Sequence, residues 1–438
     1  MFFFDILAPK VRIISYFCIV KQSLCHIFKF ILVLFACFSS AKAQVADSHR
    51  APLQAMDSVD ISLLTCGPGT ETWSLYGHSA IRVNNRAVDY DVAVNYGMFS
   101  FRNKFFILRF IFGLTDYEMG IIPTPVFLEE YKCQNRWIVE QKLHLTRNEK
   151  WKILQALQQN ALPENKTYRY NFLYDNCTTR ARNIILDNLE TPYQQVSQSQ
   201  WEGTSYREMV HQWTGQQRWT QFGNDLLLGI KADFSTSKEA SLFLPDSVRK
   251  EFNNIIRHQS GEKPQKLVSE EMFLHQGNFG AKPHISSNEH LTSPTALFLT
   301  LFMLSLLIGL REWRKNTSKE RMRSGKPREA WLFDAFLLFS TGTAGVILLM
   351  MVFSQHPTVN LNLQILILNP LSLIFLYPAA RARRKGNMGS LYWKFLGAGC
   401  LLFLIGSVWQ TYAEGMYLLA LTLLFRSISN SYSTRHEK

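Results

Sequence analysis

Apolar and polar positions change their pattern once along this chain, near residue 293. Before that point, from about Gln44 to His290, short apolar runs alternate with polar ones, as in an exported globular region; after it, apolar blocks dominate. Within the first part, Ser79–Val83 alternates, Asn84-Asn85 reads as a two-residue turn, and Arg86–Val94 returns as a second strand. A strand over Trp137–Leu145 runs into Thr146-Arg147-Asn148-Glu149, a capping-box pattern that opens a helix with Trp151, Leu154 and Leu157 on one face. A second helix starts at Cys177 with Asp175 or Asn176 as cap, and Ala181, Ile184, Ile185 and Leu189 form its buried stripe. Residues from Gln200 to His258 read as largely helical, and Ser260–Asn288 as a polar linker. The second part holds five apolar runs, Pro294–Leu310, Trp331–Phe353, Leu361–Ala379, Phe395–Tyr412 and Met416–Phe425, the last of them short for a membrane span.

Charge changes this picture by giving the spans a direction. The 438 residues carry a formal net charge of +13, but the basic residues gather beside apolar runs, at Arg311–Arg328 and Arg381–Lys394. That is the pattern of cytoplasmic loops in a bacterial inner-membrane protein and not of a nucleic-acid surface. With those loops inside, the globular region and the Ser354–Thr358 loop lie outside and the C-terminus inside. The N-terminus has scattered Lys and Arg, an apolar core from Ile27 to Phe38 and Ala41-Lys42-Ala43, so residues 1–43 read as an export signal cleaved before Gln44; Leu34-Phe35-Ala36-Cys37 offers a lipoprotein-type alternative at Cys37. Removing 1–43 leaves Cys66, Cys133, Cys177 and Cys400. Cys66 and Cys133 then have two readings, a disulfide in an oxidising compartment or a buried reduced pair.

The candidate chemistry is a pair. His78 lies in Tyr76-Gly77-His78-Ser79-Ala80-Ile81-Arg82-Val83, and Cys177 lies in Asp175-Asn176-Cys177-Thr178-Thr179-Arg180, in the first turn of its helix. A helix N-terminus and a neighbouring imidazole together lower a thiol's pKa and supply a base, the two conditions a nucleophilic cysteine needs. If Asn84-Asn85 is the turn, His78 falls opposite Asp91, which becomes the orienting carboxylate; a different register leaves Asn95 or Asp89 in that place. Backbone N–H groups at the start of the Cys177 helix, with Tyr76 or Arg180 as further donors, are candidates for holding an oxyanion. No cofactor or metal is called for.

Several stretches taken together resemble a known family: Leu63-Leu64-Thr65-Cys66-Gly67-Pro68-Gly69, the segment around His78, Asn95-Tyr96-Gly97-Met98-Phe99-Ser100-Phe101, Pro163-Glu164-Asn165, Tyr170-Asn171-Phe172, the segment around Cys177, and in the membrane part His356-Pro357, Asn360-Leu361-Asn362 and Asn369-Pro370-Leu371. They are similar to the Bacteroides-type lipoprotein N-acyltransferases, Lnb. The histidine-first, cysteine-later order also resembles the circularly permuted papain-like fold of NlpC/P60 and lecithin:retinol acyltransferase-like proteins. The resemblance implies an α+β thiol domain at 44–195, a helical extension and linker at 196–290, a membrane domain of about five helices at 291–428 and a cytoplasmic tail at 429–438. It implies Cys177 as nucleophile and His78 as base, a membrane phospholipid as acyl donor and a diacylated lipoprotein as acceptor; Asn176, Asn95, Tyr76 and Arg180 are further candidates, from the residues themselves, for oxyanion or substrate contacts. Phe105–Leu114 is a candidate membrane or acyl-chain contact that competes with an ordinary core reading. Two rivals keep part of this pattern: a cell-wall peptide amidase with the same thiol, and a non-catalytic envelope assembly or sensor protein.

Overall fold

The computed structural model describes residues 53–99, 104–190, 193–195, 202–215, 217–257, 263–280, 293–317, 328–381 and 388–432. The expected signal segment 1–43, residues 318–327 and 382–387 of the two basic stretches and the end of the C-terminal tail lie outside these residues.

Six strands are laid down before the cysteine helix: β1 (Val59–Cys66), β2 (His78–Asn85), β3 (Tyr90–Met98), β4 (Asp116–Pro123), β5 (Ile138–Leu143) and β6 (Thr167–Arg169). They form one antiparallel sheet ordered β10-β5-β1-β2-β3-β4-β6, closed at one edge by β10 (Val268–His275). The stretch read as a linker therefore contributes an edge strand. Its Lys142–Glu270 and Arg249–Glu271 ion pairs fix it to β5 and the neighbouring helix, an edge that composition alone reads as polar chain.

Helices cover both faces, because both faces carry alternating apolar residues. α2 (Thr124–Cys133) sets Phe127 and Tyr131 against Leu64, Ala80, Ala93 and Ile138. On the other face, α3 (Arg147–Ala161) and α4 (Cys177–Leu186) bring Ile153, Leu157, Ala181 and Ile185 onto Ile61, Leu63, Ile81, Val94 and Tyr96. The Thr146 capping box forms as expected, with Glu149 N–H donating to Thr146 Oγ1 and Thr146 N–H to the Glu149 carboxylate.

The β2–β3 connection differs from the expected turn. Asn84 and Asn85 still belong to β2, and the chain reverses through residues 86–89, with Asp89 at φ 51°. Asn85 holds this loop by accepting Ala87 N–H on its side chain at 3.1 Å and Val88 N–H on its carbonyl at 3.3 Å. The register becomes Asn84 opposite Asp91 and Ala80 opposite Asn95.

After α4 the chain forms a small sheet of β7 (Tyr193–Gln195), β8 (Ile255–Arg257) and β9 (Gln265–Lys266), and three principal helices, α5 (Tyr206–Thr214), α6 (Arg218–Leu227) and α7 (Pro245–Asn253). Beyond residue 293, α8 (Pro294–Thr317) and α9 (Arg328–Val352) are long and apolar enough to cross a membrane. The third apolar run is broken into short pieces around Asn369-Pro370, as expected where proline interrupts a helix. α10 (Met388–Gly406) and α11 (Met416–Tyr432) complete the set; α10 begins earlier than the hydropathy pattern places it and ends before Trp409.

The globular part is docked on the ends of these helices. Backbone carbonyls in the last turn of α6 have no partner within their own helix. Gln364 Nε2 donates to Asp225 O at 2.9 Å and Asn362 Nδ2 to Leu226 O at 2.9 Å, while Gln410 Nε2 bonds Leu228 O at 3.2 Å. Amides from the membrane region thus complete a helix of the globular region.

Candidate active site

The site forms where β2 begins, β3 bends and α4 begins. Gly77, just before His78, has φ +82° and lies so close to Cys66 O that an added Cβ would stand 2.6 Å from it; only glycine lets the strand start there. His78 Nε2 lies 2.6 Å from Asn95 Oδ1. With Nε2–H donated to Asn95, the neutral ring keeps Nδ1 as its acceptor, and that nitrogen is left for the thiol. Tyr131 stacks on the imidazole, with ring centroids 6.3 Å apart and planes 15° from parallel.

Asp91 does not fill the orienting role expected of it. Its carboxylate takes the Arg82 guanidinium through two bonds, 2.8 and 2.6 Å, and the Thr124 hydroxyl at 2.7 Å. It shares a sheet face with His78, but the longer connection at 86–89 pairs it with Asn84, further along the strand, and puts Asn95 opposite Ala80, on the same face and within reach of the histidine. Asp89, the other reserve, lies in the connection itself.

Asn176 is the cap of α4. Its Oδ1 accepts from Thr178 N–H and Thr179 N–H at 2.8 and 2.9 Å, and its Nδ2 donates to Phe172 O and Phe243 O. Every polar valence of the amide serves to hold the start of the helix. It also takes two N–H groups expected to face an oxyanion, so the one left at this terminus is that of Cys177 itself.

Cys177 is half-buried, and its thiol and the His78 imidazole are close enough for each to act on the other's charge. Burial pushes its pKa up, but the His78 charge and hydrogen bond, the Ser79 N–H and the Thr178 hydroxyl more than offset it and bring the thiol to about 7. For His78 burial acts downward, and the Cys177 charge and hydrogen bond with the Asn95 bond outweigh it, so the imidazole is held above its ordinary value. The two shifts agree: each group favours the charged form of the other.

Of the two further oxyanion donors expected, Arg180 is committed elsewhere, paired with Asp175 through bonds of 2.6 and 2.8 Å, while the Tyr76 hydroxyl accepts from Asn224 Nδ2 at 2.8 Å and keeps its own O–H. The Arg180 guanidinium lies 3.6 Å from the ring centroid of Tyr168. That residue was not singled out from the sequence, yet its buried hydroxyl has no hydrogen-bond partner among the described residues. Gly97 shows where it points: a Cβ built there would be 3.7 Å from Cys177 Cβ and 3.9 Å from the Tyr168 hydroxyl. Burial and the Cys177 charge raise the Tyr168 pKa, which keeps the phenol a donor. A three-residue strand offers no periodic signal that would have picked out Tyr168.

Cys66 and Cys133 are not bonded to each other; Cys66 is buried in β1 and Cys133 is exposed. No group of three or more metal-ligating side chains occurs among the described residues.

Two stretches match described domains of one family: residues 53–212 match the Lnb N-terminal periplasmic domain, and residues 286–438 match the Lnb transmembrane domain. The chain belongs to the Lnb family. It is accordingly an acyltransferase of lipoprotein maturation, a membrane protein with a periplasmic domain that carries His78, Asn95 and Cys177. Comparison with curated proteins and with solved structures gave no match.

Proposed function

We propose that the protein transfers an acyl chain from a membrane phospholipid, through a thioester on Cys177, to the α-amine of the diacylglyceryl-cysteine that begins a bacterial lipoprotein. The observation that carries this reading is the Cys177–His78–Asn95 chain of contacts in a member of this family.

In the first half-reaction His78 takes the thiol proton as Cys177 Sγ attacks an ester carbonyl carbon, and an S–C bond forms. The Cys177 N–H and the Tyr168 hydroxyl receive the oxyanion. Collapse breaks the ester C–O bond, His78 returns the proton to the departing alkoxide, and a lysophospholipid leaves. In the second half-reaction the lipoprotein amine attacks the thioester carbonyl, His78 accepts its proton, the C–S bond breaks and the thiolate is restored beside an imidazolium. The amide C–N bond is the product.

The histidine strand preceding the cysteine helix in an antiparallel sheet supports a circularly permuted papain-like arrangement for 44–195. Five membrane crossings, the broken 363–380 segment among them, in the inner membrane give the topology. The exposed Phe105, Ile107 and Leu108 beside α1 (Phe106–Ile111) favour the membrane-contact reading of that stretch over the core reading.

Intact mass of protein incubated with phospholipid should show one acyl adduct that is absent from Cys177→Ala, and Tyr168→Phe should slow its formation by about a hundredfold. Full triacylation of lipoproteins in a strain carrying only Cys177→Ala would refute the proposal.

A further inference from the structure

A second site lies at the level where the globular and membrane regions meet. Lys104, Phe106, Arg109, Thr115 and Asp116 line a cleft of about 300 Å³. Thr115 is 2% exposed, and its hydroxyl has no hydrogen-bond partner among the described residues. Lys104 is exposed and has no carboxylate partner among them. Asp116 is flanked by Arg109 and, at 2.6 Å, Arg169, and Lys104 adds a third cation to the lining. That excess positive charge fits an anion and not a cation.

Its height relative to the membrane is set by contacts with the chain just past the outer end of α9. Gln355 N–H donates to Phe112 O at 3.0 Å, and Arg169, one of the three cations, reaches Gln355 Oε1 at 3.2 Å. Phe105, Ile107 and Leu108, on the segment that carries Lys104 and Arg109, expose apolar side chains at the same level. Apolar tips beside cations at the end of a spanning helix are the arrangement of a surface that meets lipid headgroups.

The cleft is also connected to the thiol. Phe106 in its wall stacks on Phe99 at 6.0 Å, Phe99 on Tyr117 at 4.8 Å, and Tyr117 on Tyr170 at 4.0 Å. Tyr117 Cδ2 lies 4.0 Å from the Cβ position of Gly97 that is 3.7 Å from Cys177 Cβ. Thr115, two residues before Tyr117, shares its side of the chain.

We propose that this cleft is the headgroup site of the acyl donor: Lys104 and Arg109 hold the phosphodiester of a glycerophospholipid, while the aromatic stack leads its ester to Cys177. This rests on the phospholipid-donor reading above. The test compares two donors with the full-length protein in detergent, a short-chain phosphatidylethanolamine and a headgroup-free p-nitrophenyl acyl ester, reading Cys177 thioester formation for both. Lys104→Glu is expected to lower the ratio of kcat/KM for the phospholipid to that for the ester about tenfold, chiefly through KM, with Lys104→Arg restoring it. An unchanged ratio in Lys104→Glu overturns the headgroup site. So does inhibition of phospholipid use by inorganic phosphate at the concentration at which glycerophosphoethanolamine inhibits, because the cleft would then be a free-phosphate site. If the wild-type protein forms thioester with the p-nitrophenyl ester but with no phospholipid, the donor reading itself fails, an outcome distinct from both.

Discussion

A single amide oxygen decides how the thiol is addressed. Asn95 Oδ1 fixes the His78 ring at 2.6 Å without adding a negative charge, whereas Asp91 is neutralised by Arg82 away from the thiol. Asn95→Ala should therefore slow thioester formation about a hundredfold by releasing the ring, and Asp91→Asn should change it only a few-fold. Single-turnover acylation of the purified variants measures both, and equal rates would reject the assignment. The coupled shifts also set a pH dependence. Cys177 gains a proton as pH falls through about 7, so its alkylation by iodoacetamide should be half-maximal near that pH and slow below it. In His78→Ala the imidazole no longer favours the thiolate while burial still opposes it, so the inflection should move upward. A profile unchanged between the two proteins would show that the pair is not coupled.

Among the elements, the β3 bulge matters most to the site. The register of β3 against β4 shifts between Asn95 and Met98, and Gly97 takes φ +92° there beside Cys177. A bulge re-aims side chains, and here it lets Asn95 face His78 while the backbone passes under the thiol. Gly97→Ala should cost about 1–2 kcal/mol from the left-handed backbone alone. It should also slow acylation, because the new methyl stands against the cysteine. Thermal unfolding and the acylation rate check the two effects, and a variant normal in both would mean that the bulge is not required. α4 itself was legible from sequence, since a cap residue and an apolar stripe are local signals. The β2–β3 register was not: Asn84-Asn85 is a good turn dipeptide, yet continued pairing of β2 with β1, Asp60 opposite Asn84 and Val59 opposite Asn85, extends the strand through it. Tertiary pairing overrides local turn propensity when a neighbouring strand satisfies the backbone.

At the scale of the whole molecule, the docked amides Asn362, Gln364 and Gln410 and the Arg218–Glu414 ion pair tie the globular region to the outer ends of the spanning helices. The proposed reaction brings two lipid-anchored substrates to the thiol, and these contacts fix its position relative to the spanning helices. The basic clusters then predict the orientation. Reporters inserted after Ser318 and after Lys385 should read cytoplasmic, and one inserted after Pro357 should read periplasmic. A reversed pair would invert the topology and detach the site from its substrates' leaflet.

Local chemistry was enough to find the candidate pair, His78 and Cys177. The capped start of α4 and the apolar runs are short-range or compositional signals that the sequence alone determined, while the orientation implied by the clustered Arg and Lys stands as a prediction. Which polar residue meets His78, that Tyr168 is left with an unpaired hydroxyl near the thiol, that the 268–275 stretch is a strand, and that Lys104, Arg109, Thr115 and Asp116 share one cleft depended on pairings between distant segments. Those pairings are fixed by burial and by satisfying backbone and side-chain polar groups across the folded chain, so only the tertiary structure decided them.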